Sequence, residues 1–310
     1  MRGTRPLQRV WEKLIEFALL CCGLLSVVVT LSIAVVLIVG SAQFFTLQDG
    51  EPMALGDILE RVRYFFTGSE WTAGFANPTY GILPLLVGSL MISGIAALAA
   101  LPIGLATAIY LSEYAQPRVR GIAKPTLELL AGIPTVIYGF FALTTVTPFL
   151  EYFIPGLNSS NQLSGGIIVG IMIIPMVASL SEDALRAVPR SLRDGAIALG
   201  ANKFETSVKV VVPAALSGVT ASFLLAISRA LGETMAVSLA CGNKVELIFD
   251  PRDGVATMTS FIVRMATGDQ PHGTTDFNSL FAVGAVLFFM TLGMNIVAQR
   301  FMRRYRQVYQ

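Results

Sequence analysis

The sequence predicts an all-α membrane protein with six transmembrane helices, and three observations support this fold class. The chain has 310 residues, of which only 14% are charged, and its mean hydropathy is +0.67. Uncharged stretches recur along the chain that are long enough to cross about 30 Å of hydrocarbon, for which a helix needs about 20 residues. Between these stretches, the lysines and arginines fall mostly in every second connection.

The predicted spans follow from the gaps between charged residues. Asn77, Pro78 and Pro84 interrupt the front of the uncharged run 71–112, so we expect an interfacial segment there, followed by a helix. The first span is longer than the core of a secretory signal peptide and no A-x-A-like site follows it, so we expect it in the mature protein. The six predicted spans are 17–48, about 85–111, 129–150, 152–181, the run after Pro213, and 277–299.

The distribution of basic residues predicts the orientation. Sixteen lysines and arginines fall in the two terminal segments and in the second and fourth connections, whereas the other three connections hold five. The positive-inside rule therefore places both termini in the cytoplasm. We expect a cytoplasmic N-terminal segment, 1–13, and a single transmembrane domain, 14–310, with a cytoplasmic loop at about 182–213 and an outer loop at about 243–276.

Two charges lie inside the fifth span. Arg229 and Glu233 are the only charged residues between Pro213 and Asn243. An ionisable side chain at bilayer depth costs roughly 2.5–3.5 kcal/mol even on the more lenient insertion scale, so such residues face a bundle interior or a polar path. On a continuous helix both would lie, together with Thr234, along a seam of small residues that lets another helix approach closely. The seam residues are Gly218, Ser222, Ala226 and Ala230.

Two interpretations of this pair remain open. In the first, Arg229 and Glu233 form an ion pair across one helical turn and fix helix packing, although the order Arg then Glu is the poorer one for helix stability. In the second, Arg229 binds an anion in transit while Glu233 holds the arginine in place. The planar guanidinium donors of arginine suit a tetrahedral oxyanion because they bind two oxygens at once.

Local signals predict three further features. The run 131–135 (AGIPT) is expected to break the third span. In the cytoplasmic loop, Gly200 is expected to end one short helix, and Asn202 with Glu205 predicts the capped start of a second. In the outer loop, the spacing of apolar residues in 255–266 predicts a short amphipathic helix.

The sequence contains no motif for catalysis or metal binding. No G-x-x-x-x-G-K-[ST] loop occurs, so ATP chemistry must come from another chain, and no cofactor of this chain's own is expected. His272 is the only histidine, and the three cysteines have no metal-ligand spacing. We predict no catalytic residue and no metal site, and we interpret the net charge of +2 as a topology signal and not as a sign of nucleic-acid binding.

The fourth connection carries a recognisable pattern. Asp194-Gly195-Ala196 is followed after three residues by Gly200, and after nine more by Val210-Val211-Val212-Pro213. This resembles the EAA loop of binding-protein-dependent ABC importer permeases, with Asp in place of Glu, Gly in place of the first Ala, and Val at both aliphatic positions. The resemblance implies that Asp194, Gly195, Ala196, Gly200 and Pro213 couple the chain to an ATPase subunit.

Three further segments resemble the PstC-type permeases of phosphate-specific ABC importers. They are 108–114 (AIYLSEY), 128–139 (ELLAGIPTVIYG) and 228–237 (SRALGETMAV). The resemblance implies a type I importer (MetI-like) permease fold in the inner membrane, with Arg229, Glu233 and Thr234 on the path of inorganic phosphate. It also implies a PstA-type second permease, two PstB-type ATPases and a periplasmic or lipid-anchored phosphate-binding protein as partners.

Two alternatives remain open on the sequence alone. The first is a permease for another oxyanion, such as sulfate or molybdate, which only the segment 228–237 and its neighbours oppose. The second is a stand-alone secondary transporter or anion channel, which would have no use for a loop that couples it to an ATPase.

Overall fold

The structure, a computed structural model, describes residues 6–48, 50–75 and 77–305, and within them the chain is almost entirely helical. The basic residues Arg2, Arg5 and Arg306, which contribute to the predicted orientation, lie outside the described residues. The helices are α1 (Pro6–Thr46), α2 (Leu55–Thr67), α3 (Leu83–Ile109), α4 (Pro117–Leu130), α5 (Thr135–Phe141), α6 (Thr147–Glu151), α7 (Gln162–Arg186), α8 (Arg190–Ala198), α9 (Lys203–Thr206), α10 (Val212–Ala214), α11 (Leu216–Leu231), α12 (Met235–Ala240), α13 (Met258–Thr267) and α14 (Thr275–Tyr305).

Short irregular elements connect some of these helices. Single π-helical turns extend α3, α5 and α9 at Tyr110–Tyr114, Ala142–Val146 and Ser207–Val211. Two strands, β1 (Leu47–Gln48) and β2 (Glu51–Pro52), form an antiparallel ladder directly after α1.

Four helical segments are long and apolar enough to cross a membrane. They are Trp11–Thr46, Leu83–Tyr114, Gln162–Arg186 and Thr275–Met302. Two bent pairs pass the same test: Pro117–Leu130 with Thr135–Glu151, bent by 87°, and Lys203–Ala214 with Leu216–Leu231, bent by 73°. The described part of the chain therefore has four spans, or the predicted six if each bent pair crosses once.

The predicted break of the third span is confirmed. Helix α4 ends at Leu130, and α5 begins at Thr135 after the turn that contains Gly132 and Pro134. Pro134 cannot donate a backbone hydrogen bond, and it disfavours helical geometry at the residue before it. Because of the 87° bend, α4 runs across the direction of the helix that follows it.

Helix α7 lies at the centre of the bundle and packs against α3 and α11. Its boundaries differ from the predicted span 152–181. The helix begins later, at Gln162, because the Asn161 side chain accepts a hydrogen bond from the Ser164 amide at 2.7 Å and caps it. It also continues to Arg186, so the loop that follows begins about five residues later than the predicted boundary at residue 182.

A buried carboxylate fixes α4 against the end of α7. Glu182 is 0% exposed, and it forms ion pairs with Arg120 at 2.8 Å and with Lys124 at 2.9 Å. Lys124 also contacts Asp183. A buried carboxylate needs such partners because removing an isolated charge from water costs several kcal/mol. The sequence analysis placed Glu182 in a loop and missed this contact.

An aromatic cluster connects the end of α1 to the rest of the protein. Phe44, Phe65, Trp71, Tyr80 and Phe261 contact one another edge to face, with ring centroids 4.9–6.2 Å apart. Edge-to-face pairs of aromatic rings stabilise the packing by more than the burial of their apolar surface alone would. The earlier part of α1 is largely exposed in this single chain.

The segment predicted as the outer loop is held against the start of α7 and contains the predicted helix. The Leu163 amide donates to the Pro251 carbonyl at 2.9 Å, and the Gln162 amide donates to the Asp253 carbonyl at 3.1 Å. The predicted amphipathic helix is confirmed as α13, which begins after Thr257 with a capping box that includes Ser260.

Candidate transport pathway and coupling loop

The fifth span is not continuous where its two charges lie. Helix α11 ends at Leu231, Gly232 follows it, and α12 begins only at Met235. The prediction that Arg229, Glu233 and Thr234 share one helical face is therefore wrong. Gly232 ends the helix, because glycine loses more conformational freedom on entering a helix than any other residue.

The predicted small-residue seam is a close helix contact as far as Ala230. A Cβ atom placed on Gly218 would lie 2.5 Å from the Cβ of Ala184 on α7. One turn further, the hydroxyls of Ser222 and Ser181 lie 2.6 Å apart. Ala226 and Ala230 continue the same buried face. Small side chains thus allow α7 and α11 to approach closely.

Arg229 lies at the margin of this seam and is exposed. At 100° per residue its position is about 60° from the centre of the buried face of α11. No ion pair or hydrogen bond joins its guanidinium to another described residue, so the interpretation of Arg229 and Glu233 as an ion pair is wrong. Arg229 lies 13 residues beyond Leu216, which is about 20 Å along α11 at 1.5 Å per residue.

Glu233 has a local structural partner instead. Its side chain is buried, with 8% of the residue exposed, and Oε1 accepts a hydrogen bond from the Ala236 amide at 3.2 Å. The carboxylate thus lies at the N-terminus of α12, where unpaired amides favour a negative charge. The Glu233 carbonyl accepts a hydrogen bond from Thr259 Oγ1 of α13 at 2.7 Å. Glu233 therefore connects the break in the fifth span to the outer helix, and it does not hold Arg229.

Three hydroxyl groups lie near Arg229 or near the break between α11 and α12. Tyr138 of α5 interacts electrostatically with Arg229, while its hydroxyl donates to the Leu130 carbonyl at 3.0 Å. Ser228 Oγ is buried and has no hydrogen-bond partner among the described residues. Thr234 is half-buried, and its hydroxyl donates to the Gly232 carbonyl at 3.2 Å. The sequence analysis did not single out Tyr138 or Ser228, although both lie in the segments that carry the family resemblance.

The loop predicted to be cytoplasmic has the expected form of two short helices with a turn between them. Asp194, Gly195 and Ala196 lie in α8, and Gly200 follows with φ = +89°, a left-handed conformation that glycine adopts without strain. Asn202 and Glu205 form the predicted capping box at the start of α9. The fifth predicted coupling residue, Pro213, lies in α10 at the bend before α11, and so at the opposite end of the span from Arg229.

One face of this loop exposes apolar side chains, and the other face is fixed to the neighbouring helices. Leu199 is 91% exposed, and Ile197 and Phe204 are exposed as well. On the other side of α8, Arg193 forms an ion pair with Glu113 at 2.9 Å and donates to the Leu185 carbonyl at 2.8 Å. This anchor holds α8 against the ends of α3 and α7, and the sequence analysis missed it because the two charges are 80 residues apart.

Comparison with known proteins identifies the family. Residues 100–307 match the model of the binding-protein-dependent transport system inner membrane component. The probable ABC transporter permease protein YqgH of Bacillus subtilis is 34% identical over 99% of this chain and 94% of its own length, so the likeness includes the first 70 residues. The phosphate transport system permease protein PstC 1 of Mycobacterium tuberculosis is 33% identical over 81% of this chain and 85% of its own length.

Solved structures show the same fold at low sequence identity. A bacterial ABC transporter that imports the acidic polysaccharide alginate has a chain that matches 96% of this one with a TM-score of 0.63 at 15% identity, and 99% of that chain is covered. A chain of the MetNI methionine ABC transporter in an inward-facing conformation matches 71% of this one with a TM-score of 0.56, and 93% of that chain is covered. The bent spans, the turn at Gly200 between α8 and α9, and these matches together show that this chain is an integral membrane protein of the binding-protein-dependent ABC transporter permease family.

Proposed function

We propose that this chain is the permease subunit that carries inorganic phosphate through an ATP-driven importer. The observation that carries the proposal is the exposed, unpaired Arg229 about 20 Å along the fifth span. A guanidinium that faced lipid at that depth would raise the free energy of the inserted protein. In this proposal it therefore faces a second subunit or a polar path. The names of several relatives, among them the PstC proteins of Mycobacterium tuberculosis and Xylella fastidiosa, support phosphate as the transported anion.

The surroundings of Arg229 are suited to an anion in transit. Because Glu233 is engaged at the start of α12, it does not neutralise the guanidinium, and the fork of donors stays available to two oxygens of a phosphate group. The unpartnered hydroxyl of Ser228 lies next to Arg229 in the chain. In this proposal Arg229 binds the anion, Glu233 maintains the break in the span, and Thr234 lines the path beside it.

The assembly that we propose rests on two observations: the sequence has no ATP-binding motif, and the loop that contains Gly200 exposes apolar side chains. A permease subunit is not itself catalytic, so the ATP would be bound and hydrolysed by two PstB-type subunits that receive α8, Gly200 and the exposed apolar residues around them. A PstA-type permease would form the other half of the path, and a periplasmic or lipid-anchored phosphate-binding protein would dock at the outer loop. The complex would lie in the inner membrane with both termini of this chain in the cytoplasm.

The test is ATP-dependent uptake of labelled phosphate, at low external concentration, by cells that lack this gene and carry it on a plasmid. Wild type should restore uptake and an excess of sulfate should not compete. Arg229→Gln should lower uptake by roughly 10- to 100-fold, since hydrogen bonds to a charged group contribute about 1.5–3 kcal/mol. Arg229→Lys should restore it only in part, because an ammonium group lacks the planar fork.

Arg300→Gln is the matched control, since Arg300 is an exposed arginine near the end of α14. If Arg229→Gln and wild type restored uptake equally, Arg229 would not bind the transported anion, but the assignment of phosphate as substrate would stand. Absence of phosphate uptake with wild type, despite an assembled complex, would overturn the assignment of phosphate. Sulfate uptake in that experiment would favour the other oxyanion alternative.

A further inference from the structure

A basic site that does not include Arg229 lies between α4, α8 and the end of α3. These elements enclose a cleft of about 1190 Å³, here called the basic cleft. Three carboxylates line it: Glu113, Glu128 and Asp194. The cations that line it are twice as many: Arg120, Lys124, Arg186, Arg190, Arg193 and Lys203.

Two of these cations have no ion-pair partner in the part of the chain that the structure describes. Arg193 is paired with Glu113, Lys203 lies over the Tyr114 ring at 4.8 Å, and Arg120 and Lys124 contact Glu182 as described above. Arg186, in the last turn of α7, and Arg190, the first residue of α8, are exposed, and neither forms an ion pair with another described residue.

Two buried groups on the wall of the basic cleft can donate hydrogen bonds and have no acceptor among the described residues. Thr206 is 4% exposed, and its hydroxyl has no hydrogen-bond partner among the described residues. The Nε–H of Arg120 is also buried without an acceptor. Leaving a buried polar group without a hydrogen-bond partner destabilises the folded state. A ligand that supplies several acceptor oxygens and a negative charge would satisfy both donors and both free arginines.

The basic cleft also lies where a membrane surface would be. Helix α4 is bent by 87° from the helix that follows it, and it exposes Ile122 and Leu129 as well as its charges. Tyr110 and Tyr114, at the end of the second span, are exposed aromatic residues of the kind found at membrane interfaces. A cleft lined by arginine and lysine at such a boundary is suited to an anionic head group.

From these observations we propose that the basic cleft binds a phosphate group, through Arg186, Arg190, Arg120 Nε and Thr206 Oγ1. The phosphate can be that of an anionic phospholipid or free inorganic phosphate, since both offer the same acceptors to arginine. The site is separate from the path at Arg229 and does not depend on the function proposed for that path.

The test uses the complete transporter complex in nanodiscs and two probes. The first probe is phosphatidylglycerol added to phosphatidylcholine nanodiscs, with the bound anionic lipid counted by native mass spectrometry. The second is labelled inorganic phosphate, measured by equilibrium binding in nanodiscs of phosphatidylcholine alone. All proteins carry Arg229→Gln, so that the proposed pathway arginine contributes to neither measurement.

The critical variant is Arg186→Gln with Arg190→Gln, and the matched control is Arg118→Gln with Arg300→Gln. The control removes two exposed arginines that do not line the basic cleft. The cleft variant should bind one of the two probes about 30-fold more weakly, at about 1 kcal/mol for each arginine, while the control changes binding less than about threefold.

The two probes distinguish the sources. A loss confined to phosphatidylglycerol assigns the basic cleft to a lipid head group, and a loss confined to labelled phosphate assigns it to the free anion. Equal losses in the cleft variant and the control would show attraction by net charge alone and would overturn the proposal, as would unchanged binding of both probes. The thermal midpoint of each complex shows whether the variants are folded, which we expect because all four arginines are exposed.

Discussion

Adding one methyl group at Gly218 tests the contact between α7 and α11. In Gly218→Ala the new Cβ would lie 2.5 Å from the Ala184 Cβ, whereas carbon atoms pack best at about 3.5–4.0 Å. The two helices would have to separate by about 1 Å or more. The hydroxyls of Ser181 and Ser222, now 2.6 Å apart, would then move beyond hydrogen-bonding distance.

The expected change in stability follows from three contributions. Overpacking costs about 1–3 kcal/mol, and the lost hydrogen bond about 1 kcal/mol. Replacing a helical glycine by alanine returns about 0.5–1 kcal/mol. The net loss is roughly 1–3 kcal/mol, which corresponds to a thermal midpoint lower by roughly 2–5 °C for a chain of this size.

The assay is the thermal midpoint of the intact complex in detergent, followed by fluorescence-detected size exclusion at one fixed heating schedule, because unfolding of such complexes is irreversible. Gly94→Ala is the matched control, since a Cβ at Gly94 of α3 meets nothing within 4 Å. It should leave the midpoint unchanged or raise it slightly.

A compensating variant separates the steric explanation from others. Gly218→Ala combined with Ala184→Gly removes the conflicting Cβ, and the nearest remaining atom of residue 184 is its Cα at 3.5 Å. The double variant should recover at least half of the lost midpoint. A wild-type midpoint in Gly218→Ala, or a double variant less stable than the single one, would refute the close-contact reasoning.

Two further predictions concern loops. Gly200→Ala places a side chain at φ = +89°, which costs about 1–2 kcal/mol, so the thermal midpoint and the phosphate taken up for each ATP hydrolysed should both fall. Gly56→Ala, at a glycine of α2 with open space around it, should lower neither. In the outer loop, hydrogen bonds from Arg252 lower the pKa of Asp250 to about 2. Because the folded pKa is depressed, this stabilisation is complete above the ordinary value of 3.8 and is lost as the pH falls toward about 2. Hydrogen exchange in 250–253, corrected for its intrinsic pH dependence, should show equal protection at about pH 7 and about pH 5, and a loss of protection at about pH 5 would contradict this assignment.

Signals that act over a few residues were read correctly from the sequence. The capping box of Asn202 and Glu205, the left-handed turn at Gly200 and the outer helix α13 all depend on near neighbours in the chain. The apolar runs likewise indicated which segments can cross a membrane, because a long uncharged stretch has no stable place outside a membrane or a protein core. The small residues from Gly218 to Ala230 indicated a close helix contact before its partner was known.

The tertiary structure decided how the charges are used. Helical phase placed Arg229 and Glu233 on one face, but the helix ends at Leu231. Glu233 accepts a hydrogen bond from the Ala236 amide at the start of α12, while Arg229 forms no ion pair with another described residue. The ion pairs of Glu182 with α4, and of Arg193 with Glu113, join residues 58 to 80 positions apart in the chain. Charge pairing of this kind is set by which helices pack together, because a buried charge takes whichever partner the fold brings within reach. The sequence therefore determined that this chain crosses the membrane, while the packing of α4, α7, α8 and α11 decided which of its charged groups are paired with one another.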